Sequence, residues 1–231
     1  MIMALLGSGV LAIWNGVSDA AEAEFVRWHV REHIPERVGL PGFLRGRRYV
    51  AIDGHPKYFN FYETASTEAL LSPVYRDRLN NPTAWTRRVV SEFRDTIRTI
   101  CDVAASDGLG AGGWIETIRF GAVNDEEEFR RALLQRHLPA VTATDGIVAA
   151  HLLRGSEPEK PGGTEESALR GQPDRTAAWI ILVEGVDAHP LQSLRIREMS
   201  DLNLRACGVH SGIERGIYRL QFSLAKTELP A

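Results

Sequence analysis

Apolar positions fall into short runs whose period changes along the chain. "GVLAIWNGV", from Gly9, is nearly continuous and predicts a buried strand. Ser18 or Asp19 then serves as the N-cap of a helix that runs to about Val38, where "GLPG" turns the chain. A strand follows from about Phe43 to Ile52, the Asp-Gly of "DGHPK" signals a hairpin, and "YFNFYET" is the next strand. Acidic and small residues open a second helical region that reaches about Glu92 and is broken at "NNP". A strand from about Arg94 to Ala105 closes the set. This βαββαβ order is the ferredoxin-like split unit.

The same order is then written again. "EFVRWHVREHIPERVGLPG", from Glu24, and "EFRRALLQRHLPAVTATDG", from Glu128, share Glu-Phe, His-x-Pro and a final Gly at equal spacing, with an offset of 137 − 33 = 104. At this offset "GVLAIWNG" from Gly9 falls on "GWIETIRF" from Gly113. Beyond Glu63 the matches run at 184 − 63 = 121, aligning Arg94 with Arg215 and Arg98 with Arg219. The difference, 121 − 104 = 17, is an insertion. It falls in "GSEPEKPGGTEESALRGQPDR", Gly155 to Arg175, which is rich in Gly, Pro and Glu and reads as a solvated, mobile loop.

The division is therefore a first ferredoxin-like repeat over 1–107 and a second over 108–231 with an inserted loop at 155–175, "DGLGAGG" from Asp107 being the flexible joint. One such unit carries helices on one sheet face and leaves the other needing a cover. The fold class expected is α+β: two tandem repeats packed sheet to sheet as a barrel within one chain.

Composition narrows the functional classes. The 231 residues carry a net charge of −3 with 44% hydrophobic and 25% charged residues, ordinary globular values with no long-range pull toward nucleic acid or an anionic membrane. The N-terminal run "MIMALLGSGVLAIW" has no basic flank and is too short to span a bilayer, so it reads as the lead-in to a strand. Cys101 and Cys207 lack metal-ligand spacing and predict reduced thiols in a cytoplasmic protein. There is no Gly-x-Gly-x-x-Gly turn after a strand, no phosphate loop, no nucleophile elbow and no His-Glu-x-x-His, which argues against nucleotide cofactors and the common hydrolases. The expected partner is a small-molecule ligand, with a homodimer of the whole chain as a further expectation.

Candidate chemistry centres on the repeated histidine. On a helical wheel Phe25, Val26, Trp28, His29 and His33 share a broad arc, and His137 falls at the edge of the matching arc. One reading is a proton carrier at the mouth of a cavity between helix and sheet. The other is an imidazole bonding carbonyls left open where Pro35 or Pro139 removes a backbone donor. The two halves differ in character. Leu133 stands at the repeat position of His29; Trp14 and Asn15 align with Ile118 and Arg119, and Asn60 and Tyr62 with Ile181 and Val183. A pocket retained only in the first half would then use His33 and His29 as acid/base and be lined by Trp14, Asn15, Trp28, Asn60 and Tyr62.

Glu63 and Glu184 end strands and are expected to pair with Arg94 or Arg215; "RGRRY" from Arg45 is either an anion site or a solvated strand edge. His29 and His33 have the i, i+4 spacing of a metal pair but no third ligand, so no metal is expected.

The helix with Trp28, His33 and Pro35, then "LPG", then a strand holding "RRYV", resembles the EthD-like branch of the dimeric α+β barrel superfamily, most closely over Ser18 to Glu63. In the second half "TDG" replaces "LPG". The resemblance implies a range that includes cofactor-free monooxygenases, lactone isomerases, haem enzymes and members without known activity. The leading expectation is an enzyme without nucleotide cofactor, of oxygenase, isomerase or lyase type, acting on a hydrophobic or aromatic substrate. The alternatives are a non-catalytic binding or accessory protein and a haem protein with a histidine ligand.

Overall fold

The computed structural model describes residues 4–156, 163–210 and 212–230. The strands are β1 (Gly9–Val17), β2 (Phe43–Gly54), β3 (Tyr58–Thr64), β4 (Phe93–Gly108), β5 (Trp114–Phe120), β6 (Ile147–Gly155), β7 (Trp179–Gly185) and β8 (Glu214–Ala225). They close into one antiparallel barrel in the order β1-β3-β2-β8-β5-β7-β6-β4. Two runs of four strands, β4-β1-β3-β2 and β8-β5-β7-β6, have the same internal order and meet at the β2–β8 and β4–β6 seams. Closure leaves no free sheet edge, so "RGRRY" in β2 is not an edge at all.

Strand alternation sorts the side chains. Val10, Ala12 and Trp14 point into the barrel, and Leu11 and Ile13 point outward to the helices. Arg47 and His151 hold corresponding places, opposite Phe61 and Leu182, as the offset of 104 requires. The first strand departs from it. Trp14 pairs with Phe59 and Arg119 with Ile180, so Trp14 corresponds to Arg119 and not to Ile118. A one-residue slip moves a side chain to the other face. Likewise Arg98, opposite Ile13, corresponds to Arg215, opposite Ile118, and not to Arg219.

The barrel interior is filled. Trp14, Tyr49, Phe59, Phe61 and Tyr218 are essentially inaccessible, and the Arg119 guanidinium sits 4.4 Å from the Trp14 ring centroid. One end carries charge. Arg47 donates to Glu184 at 2.9 Å and lies 3.0 Å from Glu63, which Arg45 grips with two hydrogen bonds. Ser106 and His151 Nδ1 are 2.9 Å apart, and His151 Nε2 is 3.4 Å from Glu184. The strand-end glutamates thus pair inside the barrel; Arg94 approaches Glu92, while Arg215 binds Asp201 and Glu116. Burial would raise the Glu184 pKa, but Arg47 and His151 outweigh it and hold it at about 2. The joint before β5 is tied rather than loose, because the Gly112 N–H donates to Glu184 at 2.8 Å.

Helices cover the outer faces. α1 (Glu22–Trp28), one π-helical turn (His29–His33) and α2 (Ile34–Gly39) form one continuous rod. Pro35 cannot bond the carbonyl four residues back, and the wider turn accommodates that missing donor without ending the helix. α3 (Glu68–Leu71), α4 (Pro73–Asn80) and α5 (Ala84–Val90) complete this layer. On the other side α6 (Glu126–Ala132), a π turn (Leu133–His137) and α7 (Leu138–Thr142) repeat the rod before Pro139 as before Pro35. After each rod a glycine turns the chain with positive φ, +81° at Gly42 and +83° at Gly146.

The insertion is only partly the solvated loop its composition suggests. Residues 157–162 lie outside the described residues. α8 (Glu165–Leu169), capped by Thr164 and Ser167, lies against the helix layer of the first four strands. It reaches that layer because β6, from which it emerges, is paired with β4. α9 (Ala188–Arg195) and α10 (Asp201–Ala206) finish the second layer.

Candidate functional site

Between β1, β3, β4 and the α1–α2 rod lies a cavity of about 30 Å³ bordered by Trp28, His33, Arg37, Tyr62, Arg98 and Glu166, with others. The π turn brings the His29 and His33 rings face to face at 5.4 Å, and Trp28 lies 4.2 Å from His33. Trp28 is fixed in turn: its indole N–H is shared between Thr86 and Glu32, each at 3.2 Å. Gly46 leaves room beneath the rod, since a Cβ there would meet Ile34 and the Tyr62 ring at 3.0 Å.

Both histidines are buried, and neither Nδ1 has a hydrogen-bond partner. His29 Nε2 is 3.4 Å from the Tyr62 hydroxyl. Burial, then the Arg48 and Arg37 guanidiniums, hold His29 well below 6.5. Burial, then Arg37, His29 and Arg170, do the same for His33. Both imidazoles are therefore neutral at pH 7, and burial pushes the Tyr62 phenol up, keeping it a hydrogen-bond donor. A neutral, partner-free ring nitrogen beside a cavity is a proton acceptor in waiting.

The residues expected from sequence divide. His29, His33, Trp28 and Tyr62 come together here. Asn60 and Asn15 are also outside the barrel, but they bond each other at 2.8 Å and do not border the cavity. Trp14 is on the opposite face, inside the barrel, where its N–H donates to Thr117; it belongs to no pocket with His33. Sequence reading missed Arg37, Tyr75, Arg98, Glu166 and Arg170. Arg37 could have been found, since it follows His33 by one helical turn.

His137 has a different environment. Its Nε2 is 3.2 Å from the Cys207 sulfur, and burial lowers its pKa, an effect the Glu198 backbone opposes. Its surroundings are aliphatic, with Leu133 where the first rod has His29. The repeated histidine is thus pinned in one layer and free-ended in the other.

Cofactor-sized sites need roughly 300 Å³ or more; the cavity beside His33 is about 30 Å³ and Trp28 covers one face of the ring, so in this arrangement of the wall a haem does not fit there. Among the described residues no cluster of three or more His, Cys, Asp or Glu could hold a metal ion, and no helix is long and apolar enough to cross a membrane.

No protein-family model matches the sequence, and no curated protein matches it. Solved structures do. An anthrone oxidase-like protein superposes with a TM-score of 0.68 at 15% identity, over 100% of this chain and 98% of its own. A monooxygenase-type protein of Fusobacterium nucleatum gives 0.58 at 12% identity, over 96% of each chain. A heme-binding protein of Thermus thermophilus gives 0.52 at 10% identity, over 94% of this chain and 92% of its own. The chain has the α+β fold of the dimeric α+β barrel type, with its eight-stranded barrel closed within a single polypeptide.

Proposed function

We propose that the protein is a monooxygenase-type enzyme that needs no nucleotide, haem or metal and acts on an aromatic substrate at His33. The observation that carries this is the buried, neutral His33, whose Nδ1 has no hydrogen-bond partner and whose side chain borders a cavity. The similarity to an anthrone oxidase-like protein and to monooxygenase-type proteins supports it.

In this reading His33 Nδ1 removes a proton from a carbon made acidic by adjacent aromatic rings. His29 and Tyr62 fix the ring stack. The carbanion supplies the electrons that reduce O₂, so that CH₂ and O₂ become C=O and H₂O with no outside reductant. His33 is the base and His29 a positioning residue.

The finer reading of the chain as two fused EthD-like, ferredoxin-like repeats, 1–107 and 108–231, rests on the shared strand order, the matched π turns and the Arg47/His151 correspondence. A cytoplasmic location is supported by the two free thiols.

The test is oxygen uptake with anthrone as the probe. Wild-type protein consumes O₂, and His33→Ala lowers the rate by about 10²-fold or more while keeping its circular dichroism and melting temperature. A folded His33→Ala variant with the wild-type rate refutes the assignment. Tight anthrone binding without O₂ uptake refutes the enzyme and leaves a binding protein.

A further inference from the structure

Glu166 is an unusual wall for an apolar site. Its carboxylate accepts from Arg37 Nη2 at 2.6 Å, and both side chains are almost fully buried. It comes from α8, in the insertion that the β2–β3 connection lacks. On its inner side is the His33 cavity of about 30 Å³. On its outer side is a groove of about 940 Å³, bordered among others by Leu79, Asn80, Ile100 and Asp174. Arg98, Glu166 and Arg170 border both spaces and form the partition between them.

Charge on this partition is lopsided. Arg37, Arg98 and Arg170 border the cavity, and among the described residues Glu166 is the only carboxylate that does so. Asp174 holds Arg170 through two hydrogen bonds, and Glu36 takes one from Arg37. Among the described residues Arg98 bonds the Tyr75 hydroxyl, at 3.1 Å, and no carboxylate. With Glu166 withdrawn, buried guanidinium remains exposed to whatever enters, and an anion is the partner it requires. The inner cavity is too small for an aromatic ring, so binding must displace part of this wall. α8 is five residues long and, apart from Glu166, is held by Glu165 N–H to Asn80 at 3.3 Å, a 3.8 Å ion pair of Glu165 with Arg87 and the packing of Leu169 against the apolar cluster that holds Trp28 and Val90, so it is the short element that yields.

We propose that Glu166 occupies the place of an anionic group of the substrate, and that the ligand is an aromatic carboxylate. Its carboxylate displaces Glu166 from Arg37, and its ring spans from the groove toward His33. This rests on the helix-side site proposed above and adds the charge of its substrate.

The test is isothermal titration with anthracene-2-carboxylate and its neutral carboxamide on wild-type protein, Glu166→Gln and Glu166→Ala, melting temperatures being read alongside. Wild type prefers the carboxylate by about tenfold. Both variants bind the carboxylate about tenfold more tightly than wild type and change affinity for the carboxamide by less than about threefold, because an internal competitor is gone. Glu166→Gln keeps the shape of α8 and serves if Glu166→Ala is misfolded. Equal gains for both probes would make Glu166 a steric plug and overturn the proposal, as would unchanged carboxylate affinity in a folded variant. If such failure accompanies His33-dependent oxygen uptake, the catalytic reading survives alone. If neither probe binds any form, the carboxylate proposal falls, and oxygen uptake with anthrone decides the catalytic reading by itself.

Discussion

His29→Leu gives the second layer's residue to the first, since Leu133 holds that position. His29 is 2% exposed and its Nδ1 has no partner. A buried polar atom left unsatisfied costs about 1–3 kcal/mol, while the long contact with Tyr62 returns at most about 1 kcal/mol. Leucine at this site, combined with Tyr62→Phe so that no buried hydroxyl is left unpaired, should therefore stabilise the fold by about 1 kcal/mol at pH 7.5. Acid enlarges the difference. The folded pKa of His29 lies below the usual 6.5, so the unfolded chain binds the proton first as pH falls. Stability is complete above 6.5 and is lost at up to about 1.4 kcal/mol per pH unit below it, until the folded-state value is reached. His29→Leu removes that loss, and at pH 5.5 the advantage of the double variant grows to about 2 kcal/mol. Urea unfolding at pH 7.5 and 5.5, with equal m-values, measures both numbers. An advantage that does not grow on acidification, or a variant less stable than wild type at pH 7.5, would refute the argument.

Two further changes separate scaffold from site. Arg47→Met leaves Glu184 without its guanidinium inside the barrel, while Glu63 keeps Arg45, and should cost about 3–5 kcal/mol in urea unfolding; adding Glu184→Leu should recover part of it. His137→Ala loses the contact to Cys207 and should lower stability by about 1 kcal/mol, with anthrone-dependent oxygen uptake unchanged.

Strand order, the rods and their turns were legible because they follow from local pattern. Glu24 to Gly42 and Glu128 to Gly146 repeat the same helix, Pro and Gly, and both form the same π-interrupted rod. What escaped was set by register and by distance. Trp14 was grouped with Asn15 because neighbours in sequence look like neighbours in space, although adjacent strand residues point apart. The "RGRRY" arginines looked solvated because charge is normally exposed, yet Arg47 is 1% exposed, paired with two glutamates, one of them 137 positions along the chain. Glu166 had no local signal. Its segment has no apolar period, and it borders the site only because β6 joins β4.

The filled interior decides where chemistry can occur. In a barrel of this size the lumen is an obvious ligand site. Here Trp14, Tyr49, Phe59 and Tyr218 occupy it, and the Arg47–Glu184 pair closes one end. Opening that space would expose aromatic surface and break a buried ion pair, at a cost comparable with the whole stability of a typical domain. The His33 cavity lies instead between sheet and helix, where one short element, α8, stands between it and a large groove. Moving α8 breaks chiefly the Arg37–Glu166 pair, which an incoming anion can replace. The charge buried inside the barrel therefore fixes the scaffold, and Glu166, the carboxylate that borders the His33 cavity, marks the place where the molecule can open.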